Sequence, residues 1–193
     1  MTELVLIRHG QLPADCAGKL IGRSDVPLSE EGREQCRRLA PLFDSFEVEK
    51  VYASPLSRTM ESARLVVRDT REIFPDSRLQ EFDFGAFGNR KFAEANRTWH
   101  LPAEEWYLLP PELPWPEGES ALDLCGRIHS FLDFLAGQPE KRVALITHGG
   151  FLMHLLGELF QIPHSERRRV LPGRGSLSRL DASGRLQDFN RKG

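Results

Sequence analysis

Short apolar runs and longer amphipathic ones alternate along the chain, and the period of each decides which element it predicts. Leu4-Val5-Leu6-Ile7 is too short for a helix and predicts a buried strand over residues 3–8. The segment 143–147 repeats that pattern, and Lys50 to Ser54 gives a shorter version of it. Ser29 precedes two acids and then Cys36, Leu39, Leu42, Phe43 and Phe46, which predicts a capped helix that Pro41 kinks or shortens. Pro55 reads as a first-turn residue of a second helix carrying Met60, Ala63 and Val67 on one face. A third helix runs from Glu119 to about Ala136, with Leu124, Ile128, Phe131 and Leu135 inward. Residues 150–161 are apolar around most of the helical circumference, so that helix is expected to be buried. The segments either side of Gly184 predict a hairpin or edge strands.

Strands alternating with helices predict the α/β class, as a three-layer α/β/α sandwich around a mainly parallel sheet. One domain is expected over residues 1–193. Two stretches break the alternation. Residues 9–28 read as a long loop following a buried strand, a common place for function. Residues from about 82 to 118 are rich in aromatic residues, Gly and Pro, and read as a lid or insertion over the sheet. Trp99, Trp106 and Trp115 either line a pocket for an aromatic substrate or form that lid's own small core.

Composition narrows the picture modestly. A chain that is 40% hydrophobic and 28% charged is ordinary globular material. The net charge of −2 argues against nucleic acid as a partner. Arg167-Arg168-Arg169, Arg174, Arg179 and Arg185 cluster late, and read as a solvated helix end and loop. Cys16, Cys36 and Cys125 form no CxxC pair, so neither a zinc knuckle nor a disulfide framework is suggested, and a cytoplasmic setting is expected. No run approaches the ~20 apolar residues of a membrane span. A soluble, unprocessed monomer or homodimer is the simplest expectation.

Candidate chemistry sits at the ends of the predicted strands, where ligands bind in open α/β sheets. Arg8-His9 follows the first, Ser54 to Arg58 the second, and His148 a later one. Singly, each has a dull explanation as a solvated or hydrogen-bonded strand end. If these strands are neighbours, two histidines and two arginines converge in a way that suits a small dianion. Arginine matches phosphate with paired donors, and a neutral histidine beside it can attack phosphorus. A carboxyl close to the phosphate is driven toward its protonated form and can protonate the leaving group; Glu81 is the candidate. His148 and His154 lack i, i+4 spacing, and His100, His129 and His164 show no ligand pattern, so neither a metal nor another cofactor is expected.

The motifs "LIRHG", "ASPLSRTMESA", "LQEFDFGAFG" and "LITHGG" resemble those of the histidine phosphatase superfamily, in the family's order from residue 6 to residue 150. The resemblance implies a phosphoglycerate mutase-like fold and a phosphohistidine intermediate. His9 would be the nucleophile, Arg8, Arg58 and His148 the ligands of the phosphoryl oxygens, and Glu81 the general acid and then base. It also implies that Gly149 offers a backbone N–H and that Gln11 and Ser24 touch phosphate or substrate. The partner would be a small phosphorylated metabolite. "GRSDVPLSEEG" and "WPEGES" are similar to alpha-ribazole phosphatases of cobalamin synthesis. Mutase, sugar-phosphate phosphatase and non-catalytic phosphate-binding readings are the alternatives. Two positions depart from the family pattern. Leu12 stands where many relatives have Ser or Thr, and Asp15 where many have an Asn donor. An ionised aspartate there would repel phosphate.

Overall fold

A computed structural model describes residues 2–99 and 109–193. Its main sheet has six strands, β1 (Glu3–Arg8), β3 (Lys50–Ala53), β4 (Ile73–Pro75), β6 (Arg142–Thr147), β7 (Ser176–Leu180) and β8 (Leu186–Arg191), in the order β4-β3-β6-β1-β7-β8. The first four in that order run parallel, and β7 and β8 are added antiparallel. A small antiparallel ladder, β2 (Lys19–Leu20) with β5 (Arg90–Lys91), pins the loop after β1 to the aromatic stretch.

Alternation along the central strands assigns the layers. Leu4 and Leu6 of β1, with Val143 and Leu145 of β6, face α4 (Ala121–Ala136) and α5 (Gly149–Leu159). Val5, Ile7, Ala144 and Ile146 face the opposite way, onto α1 (Glu30–Asp44) and α2 (Ser57–Val66). Both faces of the parallel part are therefore covered, which is why its strands read as continuous apolar runs. The sandwich predicted from the alternation is present.

Details differ from the pattern-based expectation. Ser29 caps α1 by accepting from the Gly32 N–H at 3.1 Å, but α1 runs through Pro41 to Asp44. Pro41 is exposed in the last turns of α1, where only one carbonyl loses its partner. Helix α2 begins after Pro55, with Leu56 as its N-cap. Strand β4 is short and ends in Pro75, so it carried no readable period. Within residues 82–118 lie a turn at Gly85–Phe87, β5 and α3 (Phe92–Trp99). Trp115 is buried against Phe84 and Phe87, with ring centroids 5.0 and 5.8 Å away, and belongs to the same core cluster as Leu4, Leu145 and Phe151 rather than to a separate core of that stretch. His100, Trp106 and the side chain of Trp99 lie outside the described residues.

Candidate active site

Strands β3, β6 and β1 are adjacent and parallel, so their carboxyl ends deliver Ser54, His148 and His9 to one place. Gly10 is required beside them, because a Cβ there would sit 2.2 Å from the Gly32 carbonyl oxygen. His9 is buried, and its Nδ1 bonds the Gly10 carbonyl oxygen at 2.7 Å. A carbonyl only accepts, so the ring proton is on Nδ1 and Nε2 keeps its lone pair. Burial, reinforced by Arg58 and Arg8, holds His9 well below the usual histidine pKa.

His148 is fully buried, its ring 5.3 Å from that of His9. Its Nε2 bonds Ser54 Oγ at 2.8 Å and its Nδ1 accepts from Arg58 Nε at 3.2 Å. Burial and then Arg58 push its pKa far down as well. Arg58, itself buried, also donates to the carbonyls of Ser24 at 2.8 Å and Gly22 at 2.6 Å. Arg8 donates to the Pro172 carbonyl at 2.6 Å and lies across Gly149, where a Cβ would come 2.6 Å from its Cζ. Burial, opposed by Glu81, pushes the Arg8 guanidinium down to about 10, so it stays cationic at neutral pH.

Glu81 is held at the N-terminus of α5. Its Oε1 accepts from the N–H groups of Phe82 at 2.9 Å and Phe151 at 3.1 Å, and Oε2 from that of Gly150 at 3.1 Å. Arg8, His9, Arg58 and Glu81 line one cavity of about 230 Å³, together with Lys19, Arg174 and apolar walls that include Leu12, Ile21, Phe84 and Met153.

The sequence of residues 4–192 matches the profile of the histidine phosphatase superfamily (branch 1). The chain belongs to that superfamily. A probable phosphoglycerate mutase GpmB of Proteus mirabilis (strain HI4320) is 30% identical over 183 residues, covering 94% of this chain and 85% of that protein. Among solved structures, the alpha-ribazole phosphatase from Shigella flexneri superposes with a TM-score of 0.85 at 25% identity, covering 98% of this chain and 96% of its own. A mycobacterial glucosyl-3-phosphoglycerate phosphatase, solved with VO3, gives 0.83 at 25% identity over 98% of this chain and 99% of its own.

In this histidine phosphatase superfamily member, the five residues singled out for chemistry, His9, Arg8, Arg58, Glu81 and His148, meet at one site. Four of them line the cavity; His148, expected to bind the phosphoryl oxygens, is fully buried with both ring nitrogens engaged by Arg58 and Ser54. The three singled out for substrate contact do not line the cavity either. Ser24 contributes its carbonyl to Arg58, Gly149 gives room to Arg8, and Gln11 Oε1 accepts from Arg174 at 3.3 Å. Asp15 is exposed in the turn Ala14–Cys16 and does not line the cavity, whereas the buried Leu12 does.

Sequence reasoning missed two supports. Arg127 on α4 donates to the carbonyls of Arg78, Gln80 and Glu81 at 2.6, 2.7 and 3.0 Å, fixing the segment that carries the acid. Glu119 holds Arg127 at 2.7 Å and Arg23 at 3.0 Å. Neither carries a sequence signal, since α4 has other polar positions such as Asp123, His129, Ser130 and Asp133. Arg174, read as solvated, is the larger omission. Among the described residues, no group of three or more His, Cys, Asp or Glu is placed to hold a metal ion, and no helix is long and apolar enough to cross a membrane.

Proposed function

We propose that this chain is a phosphomonoesterase that works on a small phosphorylated metabolite through a phosphohistidine at His9. The observation that carries the reading is the Nδ1–H bond of His9 to Gly10, which leaves an unprotonated Nε2 among cationic side chains. Nε2 attacks phosphorus, the P–O bond to the alcohol breaks, and Glu81 gives its proton to the leaving oxygen. Arg8 and Arg58 balance the charge on the non-bridging oxygens. His148 accepts from Arg58 Nε through Nδ1 and bonds Ser54 Oγ through Nε2, and so holds Arg58 in place for the phosphoryl group. Glu81, now ionised, removes a proton from water, and hydroxide displaces His9 to release inorganic phosphate.

Alpha-ribazole 5′-phosphate leads the candidate substrates, supported by the "GRSDVPLSEEG" and "WPEGES" segments and by the likeness to the Shigella flexneri structure. That would place the protein in cobalamin synthesis, in a cytoplasm that keeps its three buried cysteines reduced. The name of the Proteus mirabilis relative favours a second reading, phosphoglycerate mutase. Rapid acid-free quenching with labelled phosphomonoester should trap an acid-labile label on the wild type and none on His9→Ala. Phosphate binding without label would leave only a non-catalytic module. With 3-phosphoglycerate, release of inorganic phosphate supports the phosphatase, and interconversion to 2-phosphoglycerate without release supports the mutase.

A further inference from the structure

Arg174 sits in a stretch, residues 172–175, that is tied down on both sides. The Pro172 carbonyl accepts from Arg8 at 2.6 Å, and the Gly173 N–H donates to Asn190 Oδ1 at 2.8 Å. The Arg174 carbonyl accepts from Lys192 Nζ. The Gly175 N–H donates to the carbonyl of His9 at 2.9 Å, so Arg174 is one residue from a direct bond to the nucleophile's backbone. Gly175 has φ +56°, and a Cβ there would lie 2.6 Å from Gln35 Cβ; only glycine fits. A solvated loop cation needs none of this anchoring.

The guanidinium turns into the catalytic cavity instead. One terminal nitrogen donates to Gln11 Oε1 at 3.3 Å, while Nε is buried with no partner among the described residues. Arg8 Nε, in the same cavity, is buried and unpartnered too. Unpaired buried donors are costly, and an oxyanion between the two arginines would satisfy both. The field of Arg174 reaches Arg8, Arg58 and His9, lowering the pKa of each. Meanwhile the loop after β1 supplies Leu12 and Asp15, neither of which can donate a side-chain hydrogen bond to phosphate.

We propose that Arg174 is a catalytic residue, a third guanidinium on the transferred phosphoryl group, and that Gln11 is its positioning residue. A donor that Leu12 and Asp15 do not supply thus comes from the approach to β7, beside Lys19, which also lines the cavity. This rests on the phosphate-site reading above, but it is tested by binding rather than by turnover.

Calorimetry with inorganic phosphate should show Arg174→Ala binding roughly tenfold to a hundredfold more weakly than the wild type. Arg174→Lys keeps the charge without the planar fork, and should recover only part of that loss. Unchanged thermal midpoints in both variants separate lost binding from lost folding, and the lysine variant serves if the alanine one does not fold. Gln11→Leu should weaken phosphate in the wild-type background and have no further effect on Arg174→Ala; a merely structural glutamine would weaken both. Phosphate affinity of Arg174→Ala within about twofold of wild type would overturn the proposal. So would a turnover loss confined to 3-phosphoglycerate with nitrophenyl phosphate unaffected, which would assign Arg174 to a second anionic group. Absence of phosphohistidine with the binding loss intact would remove the enzymatic reading and leave this one standing. A wild type that binds no phosphate would remove both.

Discussion

Two adjacent glycines at the start of α5 each make room for one reacting group, which allows the two roles to be separated. A Cβ at Gly149 meets the Arg8 guanidinium, and one at Gly150 would lie 2.5 Å from Glu81 Oε1. Gly149→Ala should therefore lower kcat/KM about tenfold or more for every phosphomonoester, since it displaces a phosphoryl ligand. Gly150→Ala should behave like Glu81→Gln, slowing alkyl phosphates far more than nitrophenyl phosphate, whose leaving group needs little proton transfer. Equal losses for both esters in Glu81→Gln would take Glu81 out of the acid role. Both positions lie in the first turn, where the added Cβ must displace a packed side chain, so thermal midpoints should fall modestly while activity falls far more. At this scale the legible residues were those attached to an apolar strand. Arg8, His9 and His148 each end a run whose direction is readable, so their convergence needed only the strand order. Arg174 lies between two glycines in a loop, and its place beside His9 depends on β7 inserting next to β1, a pairing no local pattern encodes.

Helix α1 carries a local inconsistency that makes a stability test. Pro41 removes one backbone donor and presses on the preceding turn, yet Leu39, Ala40 and Phe43 remain buried around it. Packing against α2 and β7 overrides the intrinsic preference here. Because Pro41 is exposed, Pro41→Ala should raise unfolding free energy by about 1–3 kcal/mol, read from the urea midpoint. No change would mean that the proline restricts the unfolded chain by as much as it strains the helix. Elements with a sustained period were readable to within a residue or two, as with β1, β6, α4 and α5. The short β4 and the two-residue strands β2 and β5 were not, because three residues or fewer display no period. The extent of α1 was misjudged since propensity was weighed without the tertiary contacts that hold it.

For the molecule as a whole, buried neutral histidines make stability depend on pH in one direction. His9, His148 and His154 are all buried, and burial is the main cause lowering each pKa, that of His154 to about 4. Unfolded, each would titrate near 6.5 and bind a proton that the folded chain refuses. Stability is thus complete above about pH 6.5 and falls as pH drops toward the folded values. His154 alone accounts for about 3 kcal/mol across that range. It bonds the Gly150 carbonyl at 2.9 Å and packs by Phe82 and His164, with Arg167 and Glu158 nearby. His154→Leu should accordingly flatten the loss of urea midpoint between about pH 6.5 and pH 4.5 relative to wild type. A slope identical to wild type would show that His154 is not neutral in the folded state.

The position of β1 in the sheet also bears on how the chain leaves the ribosome. Both of its partners, β6 and β7, belong to the last third of the chain. At ~5–20 residues per second, Leu4 to Ile7 wait roughly ten to thirty seconds for these partners with both edges unpaired. The nascent protein should therefore lean on holding chaperones during synthesis, and acquire a working pocket only when residues 172–175 emerge.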